Sequence, residues 1–146
     1  MIQRLSMHEN IVAEQVLAIQ LRAYALEAAL LNYPDLPPLK DSVYTLQNTN
    51  ETFYGYVKDN ELAGVISIEE NEGVYIICRV AVNPHFHRQG IAQELLNFIQ
   101  ERYSTTLVVT TGVANTPAVR LYEKSGFQEV RRFYMPDGLE LVTFSK

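Results

Sequence analysis

The sequence predicts a mixed α/β fold, with a mixed sheet that carries helices on both faces. Three observations support this. An Ala/Leu-rich apolar stretch runs from Met7 to Leu31 and stops at Tyr33-Pro34-Asp35-Leu36-Pro37-Pro38. From Phe53 the pattern changes to short β-branched and aromatic runs separated by Asn, Asp and Gly. Between Gly73 and Thr111 a strand, a helix and a second strand follow one another, the pattern of a crossover between parallel strands.

Each element has its own local reason. Ile2–Leu5 reads as a short first strand. Ser6 with Glu9 three residues later has capping-box spacing and opens a helix at about Met7. That helix must end before Pro34, because proline lacks the N–H and clashes with a continuing helix. A shorter helix is expected over Leu39–Asn48. Strands follow at Phe53–Lys58 and Leu62–Glu69, joined by Asp59-Asn60-Glu61 as a hairpin turn. Glu70-Asn71-Glu72-Gly73 turns into a strand over Gly73–Val82, which Asn83-Pro84 stops. From Gln89 to Tyr103, Ile91, Leu95, Phe98 and Ile99 form one apolar stripe at helical spacing. Thr106–Thr111 is a β-branched strand. Thr116–Lys124 is a helix ended by Ser125-Gly126, where glycine suits the left-handed position. Phe127–Tyr134 and Leu139–Phe144 close the chain as a hairpin about Pro136-Asp137-Gly138. The expected order is β-α-α-β-β-β-α-β-α-β-β.

No repeat, low-complexity tract or linker divides the 146 residues, so one domain over residues 1–146 is expected. A composition of 47% hydrophobic and 20% charged residues is that of a soluble globular protein. No apolar run approaches the ~20 residues of a membrane span. The first six residues lack the apolar run of a secretory signal, so cytoplasmic residence is expected. The net charge of −5, with no basic run, argues against nucleic acid and favours cationic partners at encounter. Cys78 is the only cysteine, which excludes an internal disulfide, and its apolar strand context predicts a small buried side chain. His85 and His87 stand i, i+2 with no ligand-spaced Cys or carboxylate, so no metal site is expected. The apolar first helix is a candidate homodimer surface.

The strongest chemistry lies where the Gly73–Val82 strand meets the next helix. The first turn of a helix presents N–H groups without intrahelical partners, and the helix dipole adds positive potential there. Gly90 and the small Ala92, in Gln89-Gly90-Ile91-Ala92, let backbone approach an anion closely. Alone, one glycine before a helix is an ordinary turn. Neither the three-glycine dinucleotide fingerprint nor the P-loop occurs.

Val80-Ala81-Val82-Asn83-Pro84-His85-Phe86-His87-Arg88-Gln89-Gly90-Ile91-Ala92-Gln93-Glu94-Leu95-Leu96 resembles the acetyl-CoA motif of the GNAT N-acetyltransferases. That motif is an apolar strand, V-x-P, then [QR]-x-x-G-x-[GA] opening an amphipathic helix. Downstream, Asn115-Thr116-Pro117-Ala118-Val119-Arg120-Leu121-Tyr122-Glu123-Lys124-Ser125-Gly126-Phe127 resembles the family's second signature, N-x-x-A-x-x-L-Y-x-x-x-G-F. Order and spacing agree, and the β/α order resembles the family's fold over nearly the whole chain. One departure is His87, where the family usually has Arg or Gln, with Arg88 beside it. This puts the side-chain share of the pyrophosphate grip and its pH dependence in question, because histidine loses its charge near neutrality.

The resemblance implies transfer of acetyl from acetyl-CoA to a primary amine of a small molecule or protein. The turn His87–Ala92 would take the pyrophosphate, and Val80, Ala81 and Val82 would pair with the pantetheine amides. Asn115 would hydrogen-bond the cofactor, and it also suits an N-cap. Tyr122 would give a proton to the leaving thiolate, whereas its alternative is a tyrosine packed on the core. No Ser or Cys is paired with histidine in a nucleophile motif, which favours direct attack in a ternary complex. Several positions keep two readings. Glu69 and Glu70 draw a proton through water or are solvated strand-end charges. Tyr24 and Glu27 belong to an acceptor pocket or to a polar helix face. Arg79 recognises an acceptor carboxylate or pairs with a buried acid. The competing functional reading is a non-catalytic acyl-CoA-binding sensor module of the same fold.

Overall fold

The computed structural model describes every residue from Met1 to Lys146. Its elements are β1 Ile2–Arg4, α1 Asn10–Leu31, α2 Val43–Gln47, β2 Thr52–Lys58, β3 Glu61–Asn71 and β4 Val74–Val82. They continue with α3 Ile91–Arg102, β5 Leu107–Gly112, α4 Thr116–Lys124, β6 Gln128–Tyr134 and β7 Glu140–Ser145. The seven strands make one sheet in the order β1-β2-β3-β4-β5-β7-β6. Only β4 and β5 run parallel, joined through α3 as expected, so the sheet is mixed.

Both faces of the sheet are covered. Neighbouring residues of a strand point to opposite sides, so Val65 and Ile66 enter different cores. On one face, Val16, Ile19, Tyr24 and Ala28 of α1 pack with Leu46, Phe53, Val65 and Ala81. On the other, Ile91, Leu95, Leu96 and Ile99 of α3 pack with Ile66, Ile77, Val109, Phe144 and Tyr122 of α4. Each fully buried Leu or Ile contributes about 1.5–3 kcal/mol, and the apolar run Ala63–Ile68 follows from burial on both sides.

Local chemistry shifts several boundaries. The Ser6/Glu9 capping box does not form. Glu9 occupies the N-cap of α1 without a side-chain bond, and its N–H instead donates to the Ser6 carbonyl. A reciprocal box forms between Ser42 and Thr45, which start α2 at Val43. The helix expected over Leu39–Asn48 is therefore split, with a 3-10 turn at Pro37–Lys40 before it. The β2–β3 hairpin turns through Asp59 and Asn60, both left-handed (φ 53° and 61°), a two-residue turn that matches strand twist. No helix is long and apolar enough to cross a membrane.

Two irregularities of β4 position the site. Its pairing with β5 covers only Tyr75–Ile77, although β4 continues to Val82 and β5 to Gly112. On its other side, Ser67 pairs with Arg79 and Ile68 with Ile77, so Cys78 is an extra, bulged residue. A bulge sharpens local twist and bend, and it lies where β4 parts from β5. Cys78 is consequently exposed, not buried as its apolar neighbours suggested.

Candidate functional site

A cleft of about 830 Å³ opens between the diverging ends of β4 and β5. It is lined on one face by α1 and the segment after it, and on the other by the His87–Gln93 turn and α4. Beyond Ile77 the inner edge of β4 has no strand partner. The N–H of Asn83 is bonded to Ala63 on β3. By alternation, the N–H and C=O groups of Val80 and Val82 therefore face the open edge.

The turn after β4 is built from local bonds. Asn83 caps a 3-10 turn at Pro84–Phe86 by accepting from the His85 N–H at 3.1 Å, and buried Phe86 anchors it. Arg88 and Gly90 are left-handed, with φ of 63° and 75°, and Gly90 is the N-cap of α3. The helix thus starts at Ile91 rather than Gln89. The backbone N–H groups from Arg88 through Gln93 have no acceptor in the protein. They converge at the positive end of α3, an arrangement that attracts an anion. A Cβ on Gly90 would meet no atom within 4 Å, so the glycine serves the left-handed backbone and the open space above it. Lys58 Nζ donates to Gln89 Oε1 at 2.5 Å. His87, Arg88, Gln89, Gly90, Ile91 and Ala92 all line the cleft, as do Val80, Ala81 and Val82.

Four of the singled-out side chains meet at the centre. Asn115 Oδ1 accepts from the Ala118 N–H at 3.3 Å as the N-cap of α4, while its Nδ2 donates to Glu27 Oε1 at 2.9 Å. Tyr122 is placed by the end of α4. The Phe127 N–H donates to the Tyr122 carbonyl and the Gly126 N–H to that of Glu123, with Gly126 left-handed at φ 89°. This is a Schellman closure, and it brings Phe127 onto the Tyr122 ring at 5.8 Å. The ring of Tyr122 is thus core, packed also on Phe144. The Tyr122 hydroxyl has no protein partner and is not sealed from the cleft, whereas the Tyr24 hydroxyl faces the Val80 N–H. Burial, with Tyr24 and Glu27 nearby, pushes the Tyr122 phenol well above its ordinary value. Burial and Glu27 do the same to Tyr24, partly offset by the Val80 N–H. Burial also raises the Glu27 carboxyl, against the Asn115 bond that lowers it.

Of three other candidates, two lie elsewhere and the third lines the cleft with its charge already engaged. Glu69 and Glu70 do not line the cleft, and Glu70 accepts from the Tyr75 hydroxyl at 3.1 Å. Arg79 is engaged by buried acids. Its Nε and Nη2 donate to Glu51 at 2.9 and 3.1 Å, and its Nη1 donates to Asp41 at 2.5 Å and Gln20 at 2.9 Å. Gln20, fully buried, donates onward to Asp41 and the Pro38 carbonyl. This network ties the wall after α1 to the sheet. Burial pushes the Asp41 carboxyl up, but hydrogen bonds from Arg79, Thr45 and Gln20 hold it below its ordinary value.

Sequence reasoning missed Gln20, Asp41 and Glu51, which no local pattern joins. It also missed Arg120 and Lys124, which line the cleft from α4. Their i, i+4 spacing puts them on one helix face, a signal that was present.

Comparison with known proteins places the chain in a family. The acetyltransferase (GNAT) family model matches residues 16–127. The chain is 37% identical over 146 residues to the UPF0157 protein YqkA of Bacillus subtilis, covering 99% of this chain and 43% of that protein. It therefore spans less than half the length of that relative. It is 27% identical over 127 residues to the ribosomal protein bS18-alanine N-acetyltransferase of Salmonella typhimurium, covering 74% of this chain and 86% of that one. The ribosomal-protein-S18-alanine N-acetyltransferase structure from Escherichia coli superposes with a TM-score of 0.75 at 21% identity, covering 99% and 91% of the two chains. That likeness extends to the mixed sheet and the helices on both its faces. With a family match over more than half its residues, the chain belongs to the acetyltransferase (GNAT) family.

Proposed function

We propose that the protein transfers acetyl from acetyl-CoA to a primary amine of a small molecule or protein, by direct attack in a ternary complex. One observation carries this. The unpartnered N–H groups of Arg88–Gln93 continue into the open edge of β4, which leads to the Tyr24–Glu27–Asn115–Tyr122 cluster. The turn takes the pyrophosphate on backbone donors, with Arg88, Arg120 and Lys124 adding positive potential at the cleft. Val80 and Val82 pair with the pantetheine amides as an added strand would. The Val80 N–H faces the thioester carbonyl and stabilises the oxyanion.

The acceptor reaches the cleft as an ammonium and loses one proton, through Glu27 or water, to solvent. Its nitrogen lone pair attacks the thioester carbon, forming the C–N bond and placing negative charge on oxygen. Collapse re-forms the carbonyl and breaks the C–S bond. Tyr122, a phenol and so protonated throughout the neutral range, passes its proton to the departing thiolate. It regains one from the nitrogen of the intermediate. The products are amide and free CoA thiol, and the phenol is unchanged. Much of the acceleration comes from positioning.

Tyr122→Phe tests the assignment. Turnover, read as CoA thiol release, should fall about 100-fold or more, with acetyl-CoA affinity by calorimetry nearly unchanged. Unaltered turnover removes Tyr122 from the chemistry. Tight acetyl-CoA binding with no thiol release across a wide amine panel identifies a sensor module instead. Absence of acetyl-CoA binding refutes the reading altogether.

A further inference from the structure

The two faces of the cleft differ in charge. Apart from Arg79, its basic residues are His87, Arg88, Arg120 and Lys124, all on the turn or α4. The α1 face has a leucine wall. Leu26 and Leu30 are 49% and 48% exposed, and Leu36 lines the cleft beyond them. Leu31 packs directly on Gly112. Leu141 pairs with Gly112 across the β5–β7 ladder, which turns its side chain to the same face. The Tyr33 hydroxyl donates to Asp137 at 2.5 Å, tying the end of α1 to the β6–β7 turn.

Charge on this face is negative. Arg79 is the sole cation, and it is shared between two carboxylates, which leaves that cluster net negative. Glu27 adds a second negative site. Its Oε1 is held by Asn115, whereas Oε2 has no protein partner and is open to the cleft. An ammonium placed against Oε2 completes a charge-assisted hydrogen bond. An acceptor carboxylate would find Glu27 beside it and, in Arg79, a cation already paired with two carboxylates. A second ammonium on the acceptor would lie against leucine without a partner.

Given acetyl transfer as proposed above, we infer that the acceptor is a primary amine borne on an apolar group with no carboxylate beside it. Glu27 takes its ammonium and the leucine wall takes its body. The amine of a small aliphatic molecule and the free terminus of a chain beginning with an apolar residue share this chemistry.

The test compares kcat/KM, by CoA thiol release, for isoamylamine, leucinamide, leucine and putrescine. Leucine and isoamylamine differ only in the carboxylate, and the higher basicity of isoamylamine works against it. Isoamylamine should nevertheless exceed leucine by about 10- to 100-fold, the worth of one charged hydrogen bond. Leucinamide should side with isoamylamine, and its rank against it separates a chain terminus from a simple amine. Putrescine should be poor, and Leu30→Glu should raise its use relative to isoamylamine by supplying the missing partner. Leucine equal to or better than isoamylamine overturns the inference, as does efficient use of putrescine by the unaltered protein. No thiol release with any amine overturns acetyl transfer itself and this inference with it. Preference for charged acceptors overturns the acceptor class alone.

Discussion

Replacing Arg79 with methionine should destabilise the fold by about 3 kcal/mol at pH 7. Breaking a buried ion pair by removing one partner costs about 3–5 kcal/mol, because a charge is left uncompensated. Here two carboxylates are orphaned, but the Arg79, Asp41 and Glu51 side chains keep 12%, 17% and 11% exposure. Partial rehydration places the loss at the lower end of the range. Gln20 also loses the guanidinium it accepts from. The folded-state pKa of Asp41 is depressed, so its stabilising contribution is present above the unfolded value and lost as pH falls through the folded one. The gap between wild type and variant should therefore be full at pH 7 and narrow below about pH 4. The chain has no tryptophan and nine tyrosines, so urea unfolding is best followed by far-ultraviolet circular dichroism. At about 2–4 °C per kcal/mol, the melting point should drop by roughly 6–12 °C. Adding Asp41→Asn and Glu51→Gln to Arg79→Met should restore most of the loss, since no buried charge then remains. A loss below about 1 kcal/mol, or a gap that persists unchanged to pH 3, would refute the buried-network argument.

Two further predictions probe the donor side. Gly90→Val strains the left-handed backbone that presents the free N–H groups. Acetyl-CoA affinity by calorimetry should fall at least about tenfold, while an unchanged affinity removes the turn from the site. Cys78, though exposed, has its thiol pushed up to about 12 by burial of its surroundings and by the Glu51 and Glu69 charges, with Arg79 opposing. Against an ordinary value of about 8.5, its thiolate fraction at pH 8 is about 2000-fold smaller. Iodoacetamide labelling followed by mass spectrometry should then run at least about 100-fold slower than for a free cysteine peptide, and labelling at the free rate contradicts that environment.

The proposed donor half of the candidate site could be put forward from the sequence because it is contiguous. The strand end at Val80–Val82, the Asn83-Pro84 stop, and the Gly90 turn lie within a dozen residues, where local backbone chemistry decides the outcome. Even Tyr122 was legible, because the Gly126 closure that orients it is four residues away. The wall opposite is assembled over long separations. Asn115 bonds Glu27 across 88 residues, Arg79 reaches Asp41 across 38, and Tyr33 reaches Asp137 across 104. Periodicity carries no record of such pairs, so both readings of Arg79 stood until the fold brought its side chain onto Glu51. Cys78 misled for a related reason. Apolar neighbours predict burial only while alternation holds, and the bulge at Cys78 breaks it.

Net charge shows why summation along a chain loses information about a site. A total of −5 suggested only a general preference for cationic partners. Folding separates that charge. Arg88, Arg120 and Lys124 gather on the face with the free N–H groups, while Glu27 and the overcompensated Arg79 sit on the other. In the proposed reading each face then suits one reactant, an anionic donor and a cationic acceptor, with the Tyr122 hydroxyl between them. Exchanging the two binding positions would set the pyrophosphate against carboxylates and the ammonium against arginine. In that reading the charge arrangement orients both reactants, as well as attracting them.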